Sequence, residues 1–219
     1  MPSNRLHLAV VVSELFQENA YIAHLEGRSD CIVFDPGLDA QAILDKLSDL
    51  NLIPAAILNT HGHADHIAGN GALKRAWPQV PLVIGTNDAS KLTSPIKNLS
   101  RGYGVDLTSP PADQLVNEGD VYSAAGIDLE VYETPGHSVG HVVFVWKAGS
   151  PWVVFGGDVL FQGSIGRTDF PDGSFEQLAT AIRTKLYTLP DDTLVLPGHG
   201  PTTTIGFEKL NNPFVPGLR

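Results

Sequence analysis

Apolar positions along this chain come in short runs separated by turn-forming residues, and the period of each run predicts its element. Leu6–Val12, Ala20–Leu25 and Cys31–Asp35 are short, β-branched or aromatic, and bounded by turn formers, so each predicts a strand. Asp35-Pro-Gly37 ends the third run. The period then changes. Ile43, Leu44, Leu47 and Leu50 fall on one helical face behind Asp39, which has the chemistry of an N-cap. Ala55–Asn59 predicts a buried strand, Ile67 to Trp77 a helix weakened by Gly69 and Gly71, and Pro81–Gly85 another strand. From Thr93 to Asp113 the period is lost and turn formers accumulate, which suits either a surface excursion or a lid.

The second half starts over with strands. Ile127–Glu133, Val142–Trp146 and Trp152–Phe155 fit the strand pattern and lead into a glycine-rich stretch. Ser174 with Gln177 three positions on is a capping box, and Phe175, Leu178, Ala179, Ile182 and Leu186 line the core face of the helix it opens. Thr193–Leu196 predicts the last strand. Each half thus runs from strands to a helix to a strand. Two sheets packed face to face with helices outside, an α/β arrangement, accommodate this order.

Composition narrows the possibilities. The 219 residues are enough for a substantial core. Asp and Glu number 24 against 14 Lys and Arg, a net charge of −10, and such a field disfavours general binding to nucleic acid or an anionic membrane. The single cysteine, Cys31, lies in an apolar run that reads as buried and inert, and it forms no intramolecular disulfide. That usage fits a reducing compartment. Leu6–Val12 is too short to span a bilayer and lacks the layout of a signal peptide, so the expected location is the cytoplasm.

The chemistry concentrates in Asn59-Thr-His-Gly-His-Ala-Asp-His66. His61 and His63 are two apart, so at the end of an extended strand they share a face and converge on one metal, whereas on a helix they would diverge. Asp65 and His66 follow at the start of the next helix, placed to serve a second metal. Imidazole nitrogen with carboxylate oxygen is a donor set for zinc and similar ions. Four such side chains crowded together without a metal would be costly to desolvate. The loop cannot close two sites alone. His137 in Thr134-Pro-Gly-His137, Asp158 in Gly156-Gly-Asp158 and His199 in Leu196-Pro-Gly-His199 are the further candidates, each at a strand end beside glycine.

These five blocks, in this order, resemble the metallo-β-lactamase superfamily, and within it the hydroxyacylglutathione hydrolase (glyoxalase II) branch. The resemblance runs from Gln17-Glu-Asn-Ala-Tyr21 to Asn212-Pro-Phe214. Gly163-Ser-Ile-Gly-Arg-Thr-Asp-Phe170 and Pro197-Gly-His-Gly-Pro-Thr-Thr-Thr-Ile-Gly206 are similar to short single-domain bacterial hydrolases of this kind. The resemblance implies a four-layer αββα sandwich in one domain over residues 1–219, built of two similar halves, roughly 1–115 and 116–219. It implies two divalent metal ions, zinc first, with iron or manganese as substitutes. His61, His63 and His137 would hold one, Asp65, His66 and His199 the other, and Asp158 would bridge them. A hydroxide between the metals would attack a small-molecule acyl thioester such as S-lactoylglutathione, with Asp65 orienting it.

Arg167 matches, by position, a basic residue that meets the glutathione carboxylate in glyoxalase II; the competing reading is an ion pair with Asp169 or Asp172. The helical C-terminal domain and two glutathione-binding tyrosines of the longer enzymes have no counterpart here. Alternatives on the same fold are a mono-iron persulfide dioxygenase using His61, His137 and Asp158, and a lactonase or esterase. His141 reads as a supporting residue rather than a ligand. His7 and His24 read as structural or exposed. Asp35 reads as a partner of a ligand histidine or as a turn cap.

Overall fold

The computed structural model describes residues 5–217. The first sheet has the order β1-β2-β3-β4-β5-β6, with β1 (Leu6–Val12), β2 (Asn19–Leu25), β3 (Asp30–Phe34), β4 (Ile53–Asn59), β5 (Leu82–Gly85) and β6 (Gln114–Val116). Its first three strands run antiparallel and β3 to β6 run parallel. α1 (Ala40–Asp49), α2 (Ala64–Ile67) and α3 (Asn70–Ala76) belong to this half.

The second sheet contains β7 (Val121–Ala124), β8 (Ile127–Glu133), β9 (Val142–Trp146), β10 (Val153–Gly157), β13 (Leu194–Pro197) and β14 (Thr203–Thr204). Its order is β14-β13-β10-β9-β8-β7, with β10 and β13 parallel. A two-stranded ribbon of β11 (Leu160–Phe161) and β12 (Ser164–Ile165) lies between β10 and α4 (Phe175–Thr184) in the chain, and α5 (Ile205–Asn211) follows β14.

Alternation along the strands sorts the side chains into three cores. Phe34, Leu58, Leu129, Phe144 and Phe155 lie between the sheets, where the Phe34 and Phe155 rings stack at 3.6 Å and Phe34 meets Phe144 at 5.8 Å. Ile43 and Leu47 of α1 and Leu73 of α3 cover the outer face of the first sheet. Leu178 and Ile182 of α4 and Ile205 of α5 cover that of the second. The expected αββα sandwich, of α/β class, is the observed architecture.

The strands expected at Leu6–Val12, Ile127–Glu133 and Val142–Trp146 have those bounds. Ser174 caps α4 as its sequence predicts, its hydroxyl accepting from the Gln177 N–H at 3.4 Å. Three expectations are corrected. Asp39 precedes α1 but makes no capping bond; its carboxylate accepts from the Glu14 N–H at 2.6 Å instead. Leu50 and Phe175, assigned to core faces, are exposed, the one following the last turn of α1 and the other opening the first turn of α4. The helix expected from Ile67 to Trp77 is interrupted after Ile67, where the Gly69 N–H donates to the Pro36 carbonyl at 2.7 Å. A Cβ at Gly69 would lie 2.8 Å from that carbonyl, so only glycine permits the approach. Residues 93–113, which carry no period in the sequence, form no β-strand and no α-helix. They hold a 3-10 turn at Ser100–Tyr103, and buried Asn98 organises the segment by donating to the Leu107 carbonyl (2.9 Å) and accepting from the Ser100 N–H (3.0 Å). The Asn98 carbonyl also accepts from the Ala64 N–H at 3.0 Å, which docks this segment against the histidine loop.

Candidate metal centre

Strand ends deliver the candidate residues to one edge of the sandwich. β4 runs into Thr60–His66, β10 into Asp158 and β13 into His199, while the turn after β8 carries His137. All seven candidates from the sequence come together there. Three sets have their ligand-type atoms within 4.8 Å of one another: His61, His63 and His137; His61, His66 and Asp158; and Asp65, His66 and His199.

The histidine rings are oriented from behind. Thr60 Oγ1 donates to Asp35 Oδ2 at 2.7 Å, so it accepts from His61 Nδ1 at 3.1 Å. His137 Nδ1 donates to the Arg167 carbonyl (2.9 Å) and His199 Nδ1 to the Phe16 carbonyl (3.0 Å). His66 Nδ1 donates to Asp35 Oδ2 at 3.1 Å. Each of these bonds places the ring proton on the outer nitrogen and leaves a lone pair facing inward. His61 Nε2 and His63 Nδ1 are then 3.1 Å apart, and His63 Nδ1 and His137 Nε2 are 2.9 Å apart. His66 Nε2 faces Asp158 Oδ1 at 3.4 Å and Asp65 Oδ2 at 3.8 Å, and His199 Nε2 faces Asp65 Oδ2 at 3.4 Å and Asp158 Oδ2 at 3.5 Å.

Burial holds His61, His63 and His137 neutral, with their pKa values driven below the usual imidazole range. Burial also opposes charge on His66 and His199, but the carboxylates of Asp65 and Asp158 outweigh it and raise both. The same pairing overcomes burial at Asp158 and Asp65 and keeps both ionised. The neutral His61, His63 and His137 and the ionised Asp65 and Asp158 are already in the protonation states that bind a cation, and a cation bound beside the carboxylates would take the place of the protons that they hold on His66 and His199. His66 Nε2 and Asp158 Oδ1 are buried without a hydrogen-bond partner, although a buried polar atom is normally satisfied. The residues present therefore fit a pair of divalent cations.

A cleft of about 560 Å³ opens over the centre, reaching Asp65, His137, Asp158 and His199 at its floor and bounded by Phe16, Leu99, Tyr103, Phe161 and Phe170. Arg167 stands at its rim. Arg167 donates to both carboxylate oxygens of Asp169, at 2.9 Å each, in an ion pair that is mostly exposed. Asp172, the other suggested partner, pairs with Lys91 at 2.6 Å instead.

The sequence profile of the Metallo-beta-lactamase superfamily matches residues 14–199. The chain belongs to that superfamily. Among metallo-beta-lactamase relatives, it is 40% identical over 203 residues to the probable metallo-hydrolase YqgX of Bacillus subtilis, covering 92% of this chain and 94% of that one. It is 36% identical over 215 residues to the hydroxyacylglutathione hydrolase GloC of Haemophilus influenzae, covering 96% and 98%. It superposes on the crystal structure of the B3 metallo-beta-lactamase BLEG-1 with a TM-score of 0.91 and 38% identity, covering 96% and 100%. The protein is thus a metallo-hydrolase of the metallo-beta-lactamase superfamily.

Several supporting residues were not apparent in the sequence. Asn19 Nδ2 donates to the Pro197 and Gly200 carbonyls at 2.9 Å each, and the Tyr21 hydroxyl donates to the Pro197 carbonyl at 2.9 Å, so the start of β2 clasps the His199 loop. His141 accepts the Asp158 N–H at 3.0 Å, in keeping with its reading as a supporting residue. Asp35 does bind a ligand-type histidine, His66, and also accepts the Thr60 N–H at 2.7 Å. His7 and His24 stack on each other at 5.2 Å, away from the centre. The only signal for Asn19 and Tyr21 is polar groups placed in a run that is otherwise buried.

Proposed function

We propose that the protein is a binuclear metal-dependent thioesterase of the hydroxyacylglutathione hydrolase type. The observation that carries this reading is the centre itself. Ring nitrogens of three histidines converge, His63 Nδ1 lying 3.1 Å from His61 Nε2 and 2.9 Å from His137 Nε2, and a second set of ligand-type atoms is joined to them through Asp158. His61, His63 and His137 would hold one cation, Asp65, His66 and His199 a second, with Asp158 reaching both. A mono-iron centre on His61, His137 and Asp158 would leave the grouping of Asp65, His66 and His199 without a role.

Bound there, two divalent ions, zinc first, supply a water ionised near neutral pH and a Lewis acid for the acyl carbonyl. The chain does the rest. Asp65 Oδ2, ionised and partly open to the cleft, would orient the attacking oxygen by accepting a hydrogen bond from it. Phe161, Phe170 and Tyr103 wall the cleft against bulk solvent. Arg167 offers a fork to a substrate carboxylate, since its pair with Asp169 is exposed and screened by solvent and so yields readily. A thiolate leaves without strong acid assistance, which suits a thioester. GloC is named for hydroxyacylglutathione hydrolysis, and the single buried cysteine suits a reducing, cytoplasmic setting.

The test is hydrolysis of S-D-lactoylglutathione by zinc-loaded protein. Turnover abolished by a chelator is expected. Asp158→Ala should lose metal and activity together, and Arg167→Ala should raise KM roughly tenfold with kcat nearly unchanged. Absence of turnover alongside rapid cleavage of lactones, or oxygen uptake with glutathione persulfide by iron-loaded protein, would replace the thioesterase reading.

A further inference from the structure

Four buried or half-buried polar side chains lie behind the centre and take no part in the chemistry above. Asp88 is fully buried in a 3-10 turn spanning Thr86–Lys91, and Lys91 is nearly so. Asp88 Oδ2 accepts the Gly62 N–H at 2.8 Å, and Gly62 separates His61 from His63. Asp88 Oδ1 accepts the Gly140 N–H at 2.8 Å. Ser138, next to His137, donates its hydroxyl to both Asp88 oxygens, at 2.7 and 2.5 Å. Lys91 donates to the Ser138 hydroxyl and pairs with Asp172 at 2.6 Å, while Asp172 accepts the Val139 N–H at 3.3 Å. The contact is close on the first-half side too: a Cβ at Gly62 would lie 2.5 Å from the Lys91 Cβ, so residue 62 must lack one.

We infer that Asp88, supported by Lys91, Ser138 and Asp172, is a positioning residue that sets the His61–His63 loop against the His137 loop and so shapes the first metal site. This rests on the metal-centre reading above. Those loops come from different halves of the chain, and this carboxylate accepts from both, from Gly62 on one side and from Ser138 and Gly140 on the other. Stability alone does not account for it, because a buried ionic cluster contributes little compared with apolar residues of the same volume. The network touches none of Asp65, His66 or His199, whose supports are Asp35, Phe16 and the Asn19 clasp. Its effect should therefore be selective for one site of the two.

Asp88→Asn keeps the shape of the side chain, but its amide nitrogen cannot accept an N–H, so one loop loses its acceptor. The measurement is a titration of apoprotein with Co2+, followed by visible absorbance. His137→Ala and His199→Ala serve as references for the spectrum of each remaining site. Asp88→Asn should weaken the His61/His63/His137 site by roughly 10–100-fold, the range for loss of a group that orients a ligand, with the other site essentially unchanged. Ser138→Ala removes only the Lys91–Ser138–Asp88 link and should shift the same site in the same direction by less, which keeps the test open if Asp88→Asn does not fold. A wild-type titration with two cobalt ions and unaltered variants, or equal weakening of both sites, overturns the positioning role alone. A wild-type protein that binds no cobalt overturns the metal-centre reading together with this inference.

Discussion

His61 uses its two nitrogens differently: Nδ1 is tied to Thr60, and Nε2 is left for the centre. This division was half legible. A histidine two residues from another, at the end of a strand, implies a shared face, and Asp35 at a strand end suggests a partner for a ligand histidine, but nothing in the sequence identifies Thr60 as the link from Asp35 to His61. Cys31 is the opposite case, since its apolar neighbours alone predict a buried thiol. Burial pushes that thiol from its ordinary 9.0 up to about 12. The thiol stays protonated in the folded chain while the unfolded chain ionises above about pH 9, so stability should fall with rising pH over that window. From about pH 8 to about pH 10 the loss is about 1.4 kcal/mol. Urea unfolding of the wild type and Cys31→Ala at both pH values checks this. The variant should show the smaller decline with pH, and equal declines would exclude Cys31 as the cause.

At the element scale, α4 illustrates what local sequence controls. Its N-cap, its apolar face at Leu178 and Ile182, and its approximate length follow from the capping box and the period. Ser174 also ties the helix to the centre, because its N–H donates to the Gly136 carbonyl at 2.7 Å, one residue before His137. Ser174→Ala should lower the unfolding free energy by about 1 kcal/mol, with Ser174→Thr restoring much of it. Unfolding in urea measures both, and an unchanged midpoint in Ser174→Ala would deny the cap an energetic role. The elements not foreseen share a different character. β6 has three residues and β14 two, too short for a recognisable period, and they exist through pairing with β5 and β13. α5 leaves Leu210 and Phe207 exposed, so its apolar positions mark no single face.

At the scale of the whole molecule, the two sheets meet through Phe34, Phe144 and Phe155. Phe34 immediately precedes Asp35, and β10 carries Phe155 just before Asp158, so the packing between sheets also fixes how the two halves of the centre face each other. Phe144 lies on β9, away from the ligands, and is fully buried. Phe144→Ala should cost about 3–5 kcal/mol. Thermal unfolding of the metal-free protein would show it as a large drop in midpoint, whereas a drop of a degree or two would mean the sheets close over the gap. Among the described residues, no helix is long and apolar enough to cross a membrane.

The sequence by itself determined the periods of the longer strands and of α1 and α4, the donor chemistry of the His61–His66 loop, and the glycine-flanked positions of His137, Asp158 and His199. These are local properties, carried by residue type and spacing over a few positions. Only the tertiary structure decided that ring nitrogens from the loop after β4 and from the turn after β8 come within 2.9 Å, that Asp35 bonds to Thr60 and His66, that Asn19 clasps the His199 loop, and that Asp88 bonds to Gly62. Such contacts join residues as far apart as Asn19 and Pro197. No spacing rule reaches across that distance, because the sheets' stacking and register, rather than neighbours in the chain, bring the groups together.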